Sequence, residues 1–218
     1  MPSKYVVREF AKDSVYHVFN RGVEKRVIFQ DEQDYHLFLY YLYIYLTPLE
    51  KVLRRYHTLP IRLFNKNVAK DVDLLAYCLM PNHFHLLVKQ KGTAGVSSFM
   101  KQLSNAYTQY FNHKYKRTGG LFEGRYKAIR IPTDELLVHT SRYIHLNPFV
   151  ADMTKNLESY QHSSYPAYTG LTQDILISPE MVLYFFKSPH KYKEFVDDYT
   201  SYAYEIGLMK HLLLDPED

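Results

Sequence analysis

Met80-Pro81-Asn82-His83-Phe84-His85-Leu86-Leu87-Val88 places two histidines two positions apart within an otherwise apolar run. In an extended strand successive side chains alternate between faces, so His83 and His85 project to one side. The apolar side chains of Phe84, Leu86 and Val88 project to the other side. The apolar side is expected to pack on a core, which leaves the two imidazoles side by side on a rigid strand. Such a pair suits metal binding, although two histidines on a solvated sheet face fit the same spacing.

The segments around this stretch have the composition of strands. Residues from Val72 to Met80 and from His83 to Gln90 are rich in apolar residues, and Pro81-Asn82 between them has turn chemistry, so the sequence predicts a tight hairpin. The run from Val15 to Asn20 predicts a first strand, and the run from Phe122 to Ile131 predicts a fourth.

Three helices are predicted between and after these strands. Asp31 is a natural N-cap for a helix that reaches Leu46, and a second amphipathic helix is predicted from about Val96 to Asn112. A third begins at Asp134 and is expected to end near Asn147, because Pro148 disfavours helical geometry in the residue before it. Residues 47 to 71 predict a basic insertion that is irregular or partly helical.

The order of these elements predicts an α+β fold. Strand, helix, strand, strand, helix, strand, helix is the order of a ferredoxin-like antiparallel sheet with helices packed on one face.

Charge divides the chain in two: residues 1–150 hold 22 Lys and Arg against 12 Asp and Glu, whereas residues 151–218 hold 5 against 11. We therefore predict a domain at 1–150 and an acidic, mainly helical C-terminal extension at 151–218, with helices at 181–186 and 192–199.

Composition argues against a disordered protein, a membrane-spanning protein and a protein held together by an internal disulfide. The 218 residues are 46% hydrophobic, enough to bury a core, and no apolar run is long enough to span a bilayer. The single cysteine, Cys78, excludes an internal disulfide and fits a reducing, cytoplasmic setting.

A second group of polar residues lies on the predicted third helix. Tyr143 and Asn147 are four residues apart and share one helix face. If that face covers the strand with the histidine pair, a phenol and an amide oxygen join the two imidazoles, and an amide oxygen is a suitable ligand for a hard cation. The alternative for Asn147 is a C-terminal cap before Pro148. His139 could line the same site, or be an exposed helix residue.

The sequence resembles the REP-associated tyrosine transposases, within the single-tyrosine HUH transposases of bacterial insertion sequences. Three ordered motifs carry the resemblance: Met80-Pro81-Asn82-His83-Phe84-His85-Leu86-Leu87, Gly120-Leu121-Phe122-Glu123-Gly124-Arg125-Tyr126-Lys127 and Tyr143-Ile144-His145-Leu146-Asn147-Pro148. A weaker match is Tyr160-Gln161-His162-Ser163-Ser164-Tyr165, in which relatives often have Trp in place of His162.

The resemblance implies a transposase catalytic domain at 1–150. It implies that His83, His85 and Asn147 bind a divalent metal, Mg²⁺ or Mn²⁺, and that Tyr143 is the nucleophile. The implied reaction is cleavage of single-stranded DNA near REP-like hairpins through a 5′-phosphotyrosine, followed by strand transfer. Two alternatives stay open: a catalytically silent protein that binds DNA or RNA hairpins, and a metallohydrolase that uses water. Relatives are monomers or dimers, so the oligomeric state is left open.

A basic cluster provides the predicted nucleic-acid surface, because cations along a strand neutralise phosphates. Its members between residues 112 and 130 are Lys114, Lys116, Arg117, Arg125, Lys127 and Arg130, and Glu123 is the only acid among them. Arg21 and Arg142 are candidates for its rim. Tyr107, Tyr110 and Tyr126 are predicted to be packing residues.

Overall fold

The protein is built on one four-stranded antiparallel sheet. The computed structural model describes residues 10–92 and 95–198. The strands are β1 (Val15–Arg21), β2 (Val72–Met80), β3 (His83–Gln90) and β4 (Lys127–Ile131), in the spatial order β2-β3-β1-β4. β2 and β3 form the predicted hairpin, and β1 pairs with both β3 and β4. The first strand of the chain therefore lies beside the strand that carries the histidine pair.

The described residues form eight α-helices. They are α1 (Glu32–Leu46), α2 (Leu49–Tyr56), α3 (Ile61–Phe64), α4 (Gly95–Lys114), α5 (Asp134–Val150), α6 (Tyr165–Tyr168), α7 (Glu180–Leu183) and α8 (Pro189–Asp197). Asp31 caps α1 as predicted: its side chain accepts a hydrogen bond from the Asp34 backbone N–H. Thr133 caps α5 in the same way. Both caps satisfy backbone donors that a helix leaves free in its first turn.

The predicted α+β class is confirmed, with one difference in the helix layer. α1 and α4 cover the face that carries Phe84, whose ring lies 5.1 Å from that of Phe38 in α1. α5 covers the opposite face, where the histidines project. The expectation of helices on one face therefore describes α1 and α4 only. A second layer is required because Leu87, on the histidine face, is fully buried as well.

The C-terminal extension covers the free edge of β2. The Leu79 N–H donates to the carbonyl of His162, and the Ser164 N–H donates to that of Tyr77. The His162 ring stacks on Tyr35 with 3.7 Å between centroids. Residues of the extension also belong to the main hydrophobic core, Tyr168 and Tyr192 among them. The predicted boundary at residue 150 is thus the end of α5, and the core continues beyond it.

Several element boundaries differ from the predictions. β4 begins at Lys127 rather than Phe122, because Gly124 has a φ of +67°, which strands do not adopt. α5 continues through the buried Pro148 to Val150. Proline removes only one backbone donor there, and the helix ends within one further turn. Residues 47–71 contain α2 and α3, and α7 is shorter than predicted.

α8 begins at Pro189, earlier than predicted, and Tyr199 at the end of its predicted span lies outside the described residues. No helix in the described ranges is long and apolar enough to cross a membrane. Cys78 is fully buried, and burial raises the pKa of its thiol, as expected for a structural cysteine.

Candidate functional site

The histidine pair lies at the start of β3, next to the hairpin turn. His83 is half-buried and His85 is fully buried, and their ring centroids are 4.9 Å apart at an interplanar angle of 88°. Both rings project to the same face of the sheet, as the alternation of side chains predicts. The alternative of two solvated histidines does not describe His85, which has no exposed surface.

A third histidine, His17 of β1, completes this group and was not predicted. Its Nε2 lies 2.9 Å from Nδ1 of His85, and the two buried rings stack with 5.1 Å between centroids. Burial lowers the pKa of His17 to about 3. The pKa of His85 falls well below its usual value, first because of burial and then because of the neighbouring His83 and His17, while contact with the Asn147 amide acts in the opposite direction. Both imidazoles are therefore neutral at pH 7.

The hydrogen bond between these two rings leaves one nitrogen of each ring unused. Within the described part of the chain, His85 Nε2 and His17 Nδ1 are buried and have no hydrogen-bond partner. When Nδ1 of His85 donates to His17, Nε2 of His85 presents a free lone pair. A buried, unused imidazole lone pair held in place by a second hydrogen-bonding group is the usual arrangement of a metal-binding histidine.

α5 places Tyr143 and Asn147 over the histidines, and the two residues share one helix face, as the i,i+4 spacing predicts. The Tyr143 ring meets the ring of His85 edge-on at 5.5 Å between centroids and that of His17 at 5.8 Å. Asn147 does not cap the helix, since α5 continues to Val150; its Nδ2 donates to the Tyr143 carbonyl at 2.8 Å. This bond uses the amide nitrogen, so the amide oxygen is the part of Asn147 that suits a cation.

The donor set restricts what the site can hold. Among the described residues, no group of three or more His, Cys, Asp or Glu side chains is arranged to hold a metal ion. The group at α5 and β3 instead consists of two imidazoles and an amide. Two nitrogens and a neutral oxygen are compatible with Mn²⁺, Mg²⁺ or Zn²⁺, with open positions left for a substrate oxygen.

The predicted nucleic-acid residues do not all lie together. Lys127 is on the histidine face of β4 and shares a small cavity with His83, Phe19, Asn20, Arg21 and Glu123. Arg21 forms an ion pair with Glu123 at the rim of this cavity. Arg125 is exposed and lies over the Tyr126 ring. Arg130 projects from the face of β4 opposite to Lys127. Lys116 is exposed in the segment that follows α4. The Arg117 guanidinium donates a hydrogen bond to the side-chain oxygen of Asn112.

Lys114 is engaged elsewhere, on the far side of the sheet. Its ammonium lies 2.8 Å from the fully buried carboxylate of Asp34 and 2.7 Å from Asp31 at the start of α1. Tyr110 and Tyr115 also donate to Asp34. An ammonium held by two carboxylates is poorly placed to meet a phosphate, so the contacts of Lys114 favour a structural role over the predicted DNA contact.

Replacement of Lys114 by methionine is expected to lower the free energy of unfolding by about 1–3 kcal/mol, because Asp34 keeps its other donors but loses its cation. Urea denaturation measures the change. Lys191→Met, which removes an exposed i,i+3 pair with Glu194, is the control and should change the value by less than about 1 kcal/mol. Weaker DNA binding with unchanged stability in Lys114→Met would restore the original assignment.

Other polar residues of α5 point away from the site. Arg142 is buried, donates to the Phe195 carbonyl and lies 4.2 Å over the Phe195 ring, so it is not a rim residue. His139 contacts Arg142 and Phe195. His145 is buried between the hydroxyls of Tyr192 and Ser164, at 2.7 and 2.8 Å. These groups attach α5 to the C-terminal extension.

The fold is α+β, and its candidate site combines buried imidazoles on an antiparallel sheet with a tyrosine on the covering helix. The chain belongs to the IS200-like transposase family, whose model, "Transposase IS200 like", matches residues 15–147. None of the curated proteins matches the sequence at a significant level.

Among solved structures, the fold is similar to that of a REP-associated tyrosine transposase bound to a REP hairpin. The TM-score is 0.52 and the identity 15%, over 81% of this chain and 92% of the other. A Deinococcus radiodurans R1 protein, provisionally named a transposase, matches with a TM-score of 0.37 and 14% identity, over 72% of this chain and 99% of the other.

Proposed function

We propose that the protein is a metal-dependent, single-tyrosine DNA endonuclease and strand-transferase that cleaves single-stranded DNA beside a hairpin. The observation that supports this best is the contact of Tyr143 with His85: a phenol ring lies against a buried imidazole whose Nε2 has no hydrogen-bond partner among the described residues. A nucleophile and a metal ligand in contact are what a metal-assisted transesterification requires.

His83, His85 and Asn147 would hold the metal, and His17 would orient His85. When bound, a divalent cation supplies charge stabilisation to the phosphate and aligns it. Mg²⁺ and Mn²⁺ are the proposed ions, while the two imidazoles also suit Zn²⁺. The neutral state of His85 serves this role, because only an unprotonated nitrogen can bind a cation.

In the proposed reaction, the Tyr143 oxygen attacks phosphorus and the bond from phosphorus to the 3′-oxygen breaks. The products are a 5′-phosphotyrosine and a free 3′-hydroxyl: the phenol loses its proton to solvent as the new bond forms, and the leaving 3′-oxygen takes up one proton from solvent. The edge-on contact of the Tyr143 ring with the fully buried His85 ring holds the phenol in position. Because one phosphoester replaces another, the bond energy is kept and the step can be reversed onto a second 3′-hydroxyl.

DNA is the proposed substrate because of the family and because a solved protein with a similar fold is bound to a REP hairpin. Lys127 beside His83 is the basic residue best placed to contact a phosphate next to the cleaved bond. Arg125 extends this surface. Such contacts position the backbone and do not read its sequence.

The protein is expected to form a covalent adduct with an oligonucleotide that contains a hairpin and a single-stranded flank. Labelling the oligonucleotide at its 5′ or its 3′ end shows which fragment the protein retains. Incubation with Mn²⁺ or Mg²⁺, followed by denaturing electrophoresis, should give a labelled protein band with the 3′-labelled oligonucleotide and a free, shortened product with the 5′-labelled one. EDTA should prevent both.

Other outcomes would identify the alternatives. Tight hairpin binding with no adduct under any metal would indicate a catalytically silent binding protein. Cleaved DNA without an adduct, retained in Tyr143→Phe, would indicate hydrolysis by water.

A further inference from the structure

A second basic surface lies on α2, outside the proposed active site. Lys51, Arg54 and Arg55 occupy positions i, i+3 and i+4 and therefore share one face of the helix. All three are exposed, and none of them forms an ion pair with another described residue. Lys114, by comparison, forms ion pairs with the carboxylates of Asp31 and Asp34. The cations of α2 are thus available to a partner.

These cations line a groove of about 780 Å³, here called the α2 groove. Its other walls are Leu74 of β2 and residues 175–178 of the extension, and Lys91 adds a fourth cation. Two carboxylates also face it: Asp73, which pairs with Lys91 at 2.6 Å, and Glu180. Four cations against two carboxylates leave a positive groove.

The aromatic residues beneath the groove hold one of the cations in place. The Arg55 guanidinium lies 5.7 Å from the centroid of the Tyr43 ring and 5.9 Å from that of Tyr56. A stacked guanidinium loses less conformational freedom when it binds an anion. Tyr43 is buried under Arg55, so its ring is not offered to a nucleic-acid base.

We propose that the α2 groove binds the phosphate backbone of the duplex stem of a DNA hairpin. This inference rests on the proposed function, which makes a hairpin the substrate. Cations without an exposed stacking ring suit a duplex backbone, whereas single-strand sites combine cations with aromatic platforms. A flat lipid surface fits less well, because the groove is concave and, of the exposed apolar side chains among the described residues, only Ile175 lines it.

The position of the groove sets the part of the hairpin that it can reach. Leu74 precedes Met80, the partner of His83, by six residues along β2, which is about 20 Å at the rise of a strand. A duplex advances about 3.4 Å per base pair, so DNA in the groove is at least about six base pairs from the nucleotides at the histidines. Contact with the groove should therefore require a long stem.

The test is the salt dependence of binding, measured in EDTA so that no chemistry occurs. Wild type and the variant Lys51→Gln, Arg54→Gln, Arg55→Gln are titrated with a hairpin of about 12 base pairs, a hairpin of about 3 base pairs and an unstructured strand of equal length. With the long stem, the slope of log K against log salt is expected to become shallower by about 2 to 3, because three phosphate contacts are lost. With the other two DNAs the slope should not change.

A matched variant controls for net charge. Lys187→Gln, Lys191→Gln, Lys193→Gln removes the same charge from the extension, where Lys191 and Lys193 already pair with carboxylates. An equal change in this control, or an equal change on the unstructured strand, would overturn the inference. An unchanged slope with the long stem would also overturn it. If the variant then also lost binding to vesicles that contain anionic lipid, the groove would be a lipid-binding site instead. Because binding is measured without metal, failure to form an adduct would contradict the proposed function and leave this result standing.

Discussion

Tyr143→Phe is expected to abolish the covalent protein-DNA adduct completely. The substitution removes one oxygen from a ring that is held by contacts with His85 and His17, so the ring position should be kept while the nucleophile is lost. A phenylalanine ring has no atom that can attack phosphorus, so no phosphoester can form at residue 143. Denaturing electrophoresis with 3′-labelled hairpin DNA measures the adduct, and binding in EDTA should remain within about threefold of wild type.

Tyr107 and Tyr110 provide matched controls, since both lie on α4, on the other face of the sheet. The Tyr107 hydroxyl donates to the Ile28 carbonyl at 2.6 Å, and the Tyr110 hydroxyl donates to Asp34 at 2.9 Å. Their phenylalanine variants should lose about 1 kcal/mol of stability and keep the adduct. Loss of the adduct in a folded Tyr107 or Tyr110 variant, with the adduct retained in Tyr143→Phe, would show that the nucleophile is assigned to the wrong residue.

The second large effect is expected for His85→Ala. This variant removes the buried imidazole at the centre of the site, and with it the proposed ligand whose Nε2 is otherwise unused. Affinity for Mn²⁺ should fall by at least about 100-fold, and adduct formation should fall with it. Calorimetric titration with Mn²⁺ alone measures the first effect independently of DNA.

His17→Phe separates orientation from ligation. It keeps a ring of similar size next to Phe19 and Tyr143 but removes the hydrogen bond to Nδ1 of His85. Metal affinity is expected to fall by about 10- to 100-fold, less than in His85→Ala, and an excess of Mn²⁺ should restore adduct formation. Unchanged Mn²⁺ affinity in a folded His85→Ala variant would show that these imidazoles form a structural pair instead of a metal site.

Local signals in the sequence were strong enough to predict the hairpin of the site. β2 and β3 begin and end where turn residues and alternation place them, because Pro81-Asn82 and the apolar i+2 pattern agree with each other. The cap of α1 and the start of α5 at Asp134 are predicted by local signals of the same kind. The i,i+4 relation of Tyr143 and Asn147 also depends only on the helix that carries them.

Contacts that depend on strand register could not be predicted in this way. His17 lies in a strand of β-branched and aromatic residues, and its role appears only when Phe19 is paired with His85 across β1 and β3. The signal available in the sequence was a polar residue at alternate spacing in a strand that is otherwise buried. The ion pairs of Lys114 could not be predicted for a related reason: its partners at the start of α1 are about eighty residues away, and basic spacing does not reveal them.

The attachment of α5 to the extension has a consequence for the smallest fragment that can fold alone. On the side of α5 away from the histidines, His145 and Arg142 take their partners from Ser164, Tyr192 and Phe195, all beyond the part matched by the family model. A polypeptide truncated after α5 would leave an imidazole and a guanidinium buried or newly wetted without these partners. The autonomous folding unit therefore extends through α8, and the geometry of Tyr143 is set in part by residues outside the three main motifs.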